Sequence, residues 1–146
     1  MQPPNKLELM ADLQNPHTTI MLIDDDMDDC KLFEEGLREI DPSVKLITAE
    51  GGIEAFLKLD ADSPNVPDFI FLDLNMPLKD GREVLTDLKN DELLKKIPII
   101  IYTTSSNPSE KEETLKQGAV SWITKPQSIT GISEVIAEIL EKYKKI

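Results

Sequence analysis

Five short apolar runs, each followed by a segment with helical spacing, constrain this chain more than any other feature. Residues 20–23 (IMLI), 69–72 (FIFL) and 99–102 (IIIY) are nearly unbroken, whereas residues 44–49 (VKLITA) and 120–124 (VSWIT) are mixed with polar side chains. Continuous apolar runs of this length suit strands covered on both faces in a parallel sheet, and mixed runs suit its edges. Between the runs, apolar residues return every three or four positions. Cys30, Phe33, Leu37 and Ile40 form one such set, and Val84, Leu85 and Leu88 another. Ile53, Phe56 and Leu57 make a shorter set, and Ile132, Val135, Ile136, Ile139, Leu140 and Tyr143 line a final helix. Such stripes are the mark of helices with one core-facing side.

Strand and helix therefore alternate five times, which predicts an α/β fold with a parallel sheet covered by helices on both faces. Three central and two edge strands fit a flavodoxin-like, doubly wound (βα)5 sheet in the order 2-1-3-4-5. Residues 107–118 are the exception. They carry Glu110, Lys111, Glu112, Glu113 and Lys116 but few apolar anchors, so a helix there is expected to hold the core weakly. Residues 1–19 show no sheet pattern. The expected organisation is an extension over 1–17 and one domain over 18–146; a length of 146 residues leaves no room for a second.

Composition excludes several functions. With 16 Lys+Arg against 28 Asp+Glu, the net charge of −12 disfavours nucleic acid and anionic membranes as partners. One cysteine, Cys30, rules out an internal disulfide or a cysteine zinc site, and one histidine, His17, rules out a multi-histidine metal site. No apolar run approaches the ~18 residues of a membrane span. The first 19 residues lack the basic start and apolar stretch of a secretory signal, so a cytoplasmic location is expected.

Ligands in an open α/β sheet bind beyond the carboxyl ends of the strands. There the sequence places Asp24, Asp25, Asp26, Asp28 and Asp29 after the first run, and Asp73 after the third. Thr103, Thr104 and Ser105 follow the fourth, and Thr124, Lys125 and Pro126 the fifth. The second run ends in nothing reactive, as an outer strand would. Asp26 and Asp28 read as the opening of a helix. Asp24, Asp25 and Asp73 cannot all stay ionised together without counter-charge. Set against Lys125, they leave two negative charges, which one divalent cation balances. All-oxygen ligands favour Mg²⁺, Mn²⁺ or Ca²⁺ over zinc. A carboxylate beside Mg²⁺ can attack phosphorus to give an aspartyl phosphate, with a lysine and a hydroxyl holding the phosphoryl oxygens.

The ordered set LIDDD, FLDLNMPLKDG, IIIYTTS and WITKP resembles the receiver domain of two-component response regulators over roughly residues 18–144. Each motif alone is weak; the four in order, each at a strand end, are specific. The resemblance implies Asp73 as phosphoacceptor. It implies Mg²⁺ (Mn²⁺ as an alternative) held by Asp24, Asp25, Asp73 and the backbone carbonyl of Asn75. Thr103 then matches the hydroxyl that follows the phosphoryl group, and Lys125 the lysine that pairs with it. Trp122 stands where the family's switch aromatic is usually Tyr, Phe or His. Asn75 and Ser105 occupy the positions that tune hydrolysis of the acyl phosphate. The Lys125–Pro126 bond is usually cis in this family. The implied partners are a sensor histidine kinase or histidine phosphotransfer protein and a downstream protein, with a monomer or a phosphorylation-dependent homodimer. DLNMPLKDGREVL and the TTSS run resemble stand-alone regulators, including those paired with phytochrome-type or hybrid kinases. Such a protein is a signalling phosphoacceptor and no enzyme beyond its own phosphoryl transfer and slow autodephosphorylation.

Three rivals fit less well. Asp24, Asp26, Asp28 and Glu35 mimic positions 1, 3, 5 and 12 of a calcium loop, but Asp29 stands at position 6, which needs Gly. A phosphatase of the haloacid dehalogenase type needs an Asp-x-Asp at its nucleophile, and Asp73-Leu74-Asn75 breaks that pattern. A degenerate receiver usually lacks an acid or the lysine, and all are present. Cys30 reads as a core residue, His17 as an ordinary polar residue, and the Glu/Lys run 110–116 as a solvated face or a docking surface.

Overall fold

The computed structural model describes residues 18–59 and 66–143. Its elements are β1 (Thr19–Ile23), α1 (Met27–Ile40), β2 (Lys45–Ala49), α2 (Gly52–Lys58), β3 (Phe69–Leu72) and α3 (Gly81–Asn90). A 3-10 turn (Leu94–Lys96), β4 (Ile99–Thr103), α4 (Pro108–Lys116), β5 (Ser121–Thr124) and α5 (Ile129–Lys142) follow. The strands form one parallel sheet in the order β2-β1-β3-β4-β5, so the expected topology is present, with the two mixed runs at the edges. The proposed extension over 1–17 lies outside the described residues.

The pleat divides the apolar runs between two layers. Ile20, Leu22, Phe69, Phe71, Ile100 and Tyr102 face α1 and α5, meeting Phe33, Leu37, Ile132 and Ile136. Phe33 lies edge-on to both Phe71 and Tyr102, at centroid distances of 5.0 and 5.4 Å. Met21, Ile23, Ile70, Leu72, Ile99 and Ile101 face the other way, onto Ala55, Val84, Leu85 and Leu88 of α2 and α3. The expected weakness over 107–118 is visible: Thr114 is the one buried residue of α4.

Helix starts follow local side-chain chemistry. Asp26 caps α1, its carboxylate accepting the N–H groups of Asp28 (3.0 Å) and Asp29 (3.1 Å). Asp80 caps α3 through Arg82 N–H at 2.7 Å, and Asn107 caps α4 through Ser109 N–H at 2.9 Å. The caps of α1, α3 and α4 place three helix starts at the carboxyl edge of the sheet. No peptide bond among the described residues is cis, so Lys125–Pro126 is trans here, unlike the family's usual isomer.

Candidate functional site

Backbone pairing at the ends of β1, β3 and β5 builds the site. Asp24 N–H donates to the Ala49 carbonyl (2.9 Å), Asp73 N–H to the Ile23 carbonyl (3.0 Å), and Lys125 N–H to the Thr103 carbonyl (2.7 Å). These bonds extend the ladder one residue beyond the strands and fix where each side chain departs. Gly81, which opens α3, packs so closely on this edge that a Cβ would lie 2.2 Å from the Asp73 carbonyl oxygen. The phosphoacceptor candidate and the start of α3 can meet only because residue 81 has no side chain.

Asp24 and Asp73 are buried, Asp25 is exposed, and one carboxylate oxygen from each lies within 4.8 Å of the others. This is an all-oxygen cluster with one side open to water, which suits a divalent cation that keeps part of its hydration. Lys125, with a side chain only 8% exposed, lies across it. Its Nζ is 2.6 Å from Asp24 Oδ2, 2.7 Å from Asp29 Oδ2 and 3.6 Å from Asp73 Oδ2.

The charges shift one another. Burial pushes the Asp24 carboxyl up to about 6, against the lowering effect of hydrogen bonds from Lys125 and from Asp26 N–H. Burial alone would pull the Lys125 ammonium down. Its bonds to Asp24 and Asp29 and the charges of Asp24 and Asp73 outweigh that and hold it above the usual lysine range. Burial pushes the Cys30 thiol up to about 12, so Cys30 packs as a core residue whose Sγ donates to the Asp24 carbonyl at 3.6 Å.

Thr103 is buried at the end of β4. Its hydroxyl oxygen accepts from Asn75 Nδ2 and from Ser105 N–H, both at 3.4 Å. Asn75 N–H also reaches Asp73 Oδ1 at 3.4 Å, so Asn75 bridges the carboxylate and the threonine. Ser105 turns its own hydroxyl away, onto Glu110 Oε2 at 2.7 Å. Trp122 pairs in register with Ile101, and Thr124 with Thr103. Strand alternation thus puts Trp122 and Thr103 on one sheet face, with the half-buried indole packed against the α2–α3 layer.

Every residue singled out in the sequence for this site lies at the carboxyl edge or on the strand beside it. The sequence reading missed two. Asp29 stands in the sequence as one of five acids after the first run, yet it shares Lys125 with Asp24. Its signal was available, because Asp29 stands one residue before Cys30 and four before Phe33, at the head of the core-facing stripe of α1. Glu110 was read as part of a charged run, yet it also receives Arg82 Nη2 at 2.7 Å and so ties α4 to α3. With Asp29 included, four carboxylates and one ammonium leave three negative charges rather than two.

A 2-1-3-4-5 parallel sheet with an acidic cluster, a buried lysine and a threonine at its carboxyl edge defines a receiver domain of two-component signalling. The family model described as the response regulator receiver domain matches residues 20–137, and the chain belongs to that family. Among its relatives is the response regulator Rcp1 of Synechocystis sp., 33% identical over 134 residues, which span 89% of this chain and 91% of Rcp1. The phosphorylated cyanobacterial phytochrome response regulator RcpA superposes with a TM-score of 0.76 at 32% identity, covering 87% of this chain and 94% of RcpA. The Mn(2+)-bound form of Rcp1 superposes with a TM-score of 0.74 at 28% identity, covering 88% and 96% of the two chains.

Proposed function

We propose that this chain is a phosphoacceptor response regulator of a His–Asp phosphorelay, with Asp73 as the residue phosphorylated. The observation that carries the reading is the buried Lys125 ammonium 3.6 Å from Asp73 Oδ2, within a three-carboxylate cluster that an oxygen-seeking cation fits. An Asp73 carboxylate oxygen attacks phosphorus in line. A P–O bond forms, the P–N bond to the donor histidine breaks, and the electron pair leaves with the imidazole, which takes up a proton. Asp24, Asp25, Asp73 and the Asn75 carbonyl would hold Mg²⁺ (or Mn²⁺), which supplies charge neutralisation at the phosphoryl oxygens. Lys125 hydrogen-bonds those oxygens, and Thr103 exchanges its bonds from Asn75 and Ser105 for one to the phosphoryl group. Trp122 then settles toward the space that Thr103 vacates, shifting α4, β5 and α5 between two states that a partner protein reads. Asn75 and Ser105 set how water approaches the acyl phosphate.

The donor is a sensor histidine kinase or a histidine phosphotransfer protein. The similarity to Rcp1 and to the phytochrome regulator RcpA favours a phytochrome-type kinase. The receiver unit is residues 18–146, cytoplasmic, and either a monomer or a phosphorylation-dependent homodimer; among the described residues no helix is long and apolar enough to cross a membrane. Intact mass after incubation with acetyl phosphate tests the reading. One phosphoryl group, dependent on Mg²⁺ and absent from Asp73→Asn, is expected. A wild-type protein that gains neither a phosphoryl group nor bound beryllofluoride would contradict it.

A further inference from the structure

Lys125 has one more carboxylate partner than the phosphoacceptor reading uses. An ammonium carries three N–H donors. Two are taken at close range, by Asp24 at 2.6 Å and Asp29 at 2.7 Å, while Asp73 stands at 3.6 Å, beyond a good hydrogen bond. The folding of α1 does not call for Asp29, because Asp26 supplies the cap. Unlike the fully buried Asp24 side chain, that of Asp29 is 30% exposed and reaches the lysine from the solvent side.

We propose that Asp29 is a positioning residue that draws Lys125 away from Asp73, favouring a bound cation and opposing the phosphoryl group. The inference rests on the reading of Asp73 as phosphoacceptor. Without a phosphoryl group, Asp29 occupies part of the Lys125 charge and leaves Asp24, Asp25 and Asp73 more negative toward a cation. With a phosphoryl group on Asp73, Asp29 is one more anion competing for the same ammonium and repelling the added charge. The two effects have opposite signs, which separates this role from plain structural support: damage to the pocket would weaken both ligands together.

The test measures two affinities on the whole chain: Mn²⁺ binding followed by electron paramagnetic resonance, and beryllofluoride binding at saturating Mg²⁺ followed by fluorine NMR. Asp29→Asn is expected to bind Mn²⁺ more weakly and beryllofluoride more tightly, each by about three- to tenfold, the range for a partly exposed charge a few ångströms away. Asp29→Glu, which keeps the charge, is expected to restore both toward wild type. Asp28→Asn makes the same change in net charge on the same helical turn. Its carboxylate is exposed, and no described lysine or arginine pairs with it, so both affinities should stay within about twofold. The proposal is overturned if Asp29→Asn moves both affinities in the same direction or moves neither. It is equally overturned if Asp28→Asn reproduces the pair of shifts. A wild-type protein that binds no beryllofluoride would bring down the phosphoacceptor reading, and this inference with it.

Discussion

Two helical regions flanking the sheet are held by different physics. On the α1–α5 side, helices meet the sheet and each other through apolar contact at short range. Gly36 lies so close to α5 that a Cβ would approach Ile132 Cγ2 to 2.7 Å, and the Ser133 hydroxyl donates to the Gly36 carbonyl at 2.8 Å. On the α4 side, the helix buries only Thr114, and its attachment runs through Glu110 to Arg82 and Ser105. Close packing resists small displacements, because side chains interdigitate and voids are costly. Polar links across a surface can be exchanged for others at little net cost. The contact between α1 and α5 is thus the scaffold that holds Asp24, Asp29 and Lys125 in place, and in the proposed function the α4–β5–α5 face moves against it when Thr103 changes partners.

Truncation should expose this contrast most sharply. Phe33→Ala removes a fully buried ring between Phe71 and Tyr102 and is expected to cost about 3–5 kcal/mol in urea unfolding. A loss below about 1 kcal/mol would mean that the α1–α5 layer is looser than its packing implies.

Asp24 gives the next largest effect, and it depends on pH. Its folded-state value of about 6 lies above the ordinary 3.8, so the folded protein holds this proton more tightly than the unfolded chain. Stability from this group is present below about pH 4 and lost as pH rises to about 6, a span worth about 3 kcal/mol at 1.36 kcal/mol per unit. Urea unfolding of the cation-free protein in a chelator should show that slope, Asp24→Asn should lack it, and saturating Mg²⁺ should offset it above pH 6. A cation-free wild type whose stability falls no more steeply from pH 4 to 6 than that of Asp24→Asn would contradict the burial account.

Smaller effects belong to the α4 side. Glu110→Gln removes the charged partner of Arg82 and weakens the acceptor of Ser105, and should cost about 1 kcal/mol or less in stability. The same variant should nonetheless alter the acyl-phosphate lifetime, read by loss of the phosphoryl mass with time, because Ser105 is freed beside Thr103. Leu115→Ala, on a side chain already 37% exposed, should change stability by less than about 0.5 kcal/mol.

What the sequence made legible follows the same division. Strands β1, β3 and β4 are apolar on both faces, and that doubles their signal, so the centre of the sheet could be read from 20–23, 69–72 and 99–102 and its edges from the mixed runs 44–49 and 120–124. Asp24, Asp73, Thr103 and Lys125 were legible because a strand end fixes where the next side chain goes. Asp29 was not singled out, because its partner lies 96 residues away and a third acid in a helix opening looks like a cap. The Arg82–Glu110 link was hidden for a related reason: in sequence, each residue is one charge among many on a solvated face. The trans bond at Lys125–Pro126 departs from the family habit, and nothing local in the sequence predicts either isomer.

The division between scaffold and movable end is tested most directly by amide spectra recorded with and without beryllofluoride at saturating Mg²⁺. The account predicts large shifts at the site, around residues 103–124 and in the Trp122 indole signal, with small shifts across the α1–α5 contact at Gly36, Ile132 and Ser133. Shifts spread evenly over both regions, or confined to the residues touching the ligand, would contradict it.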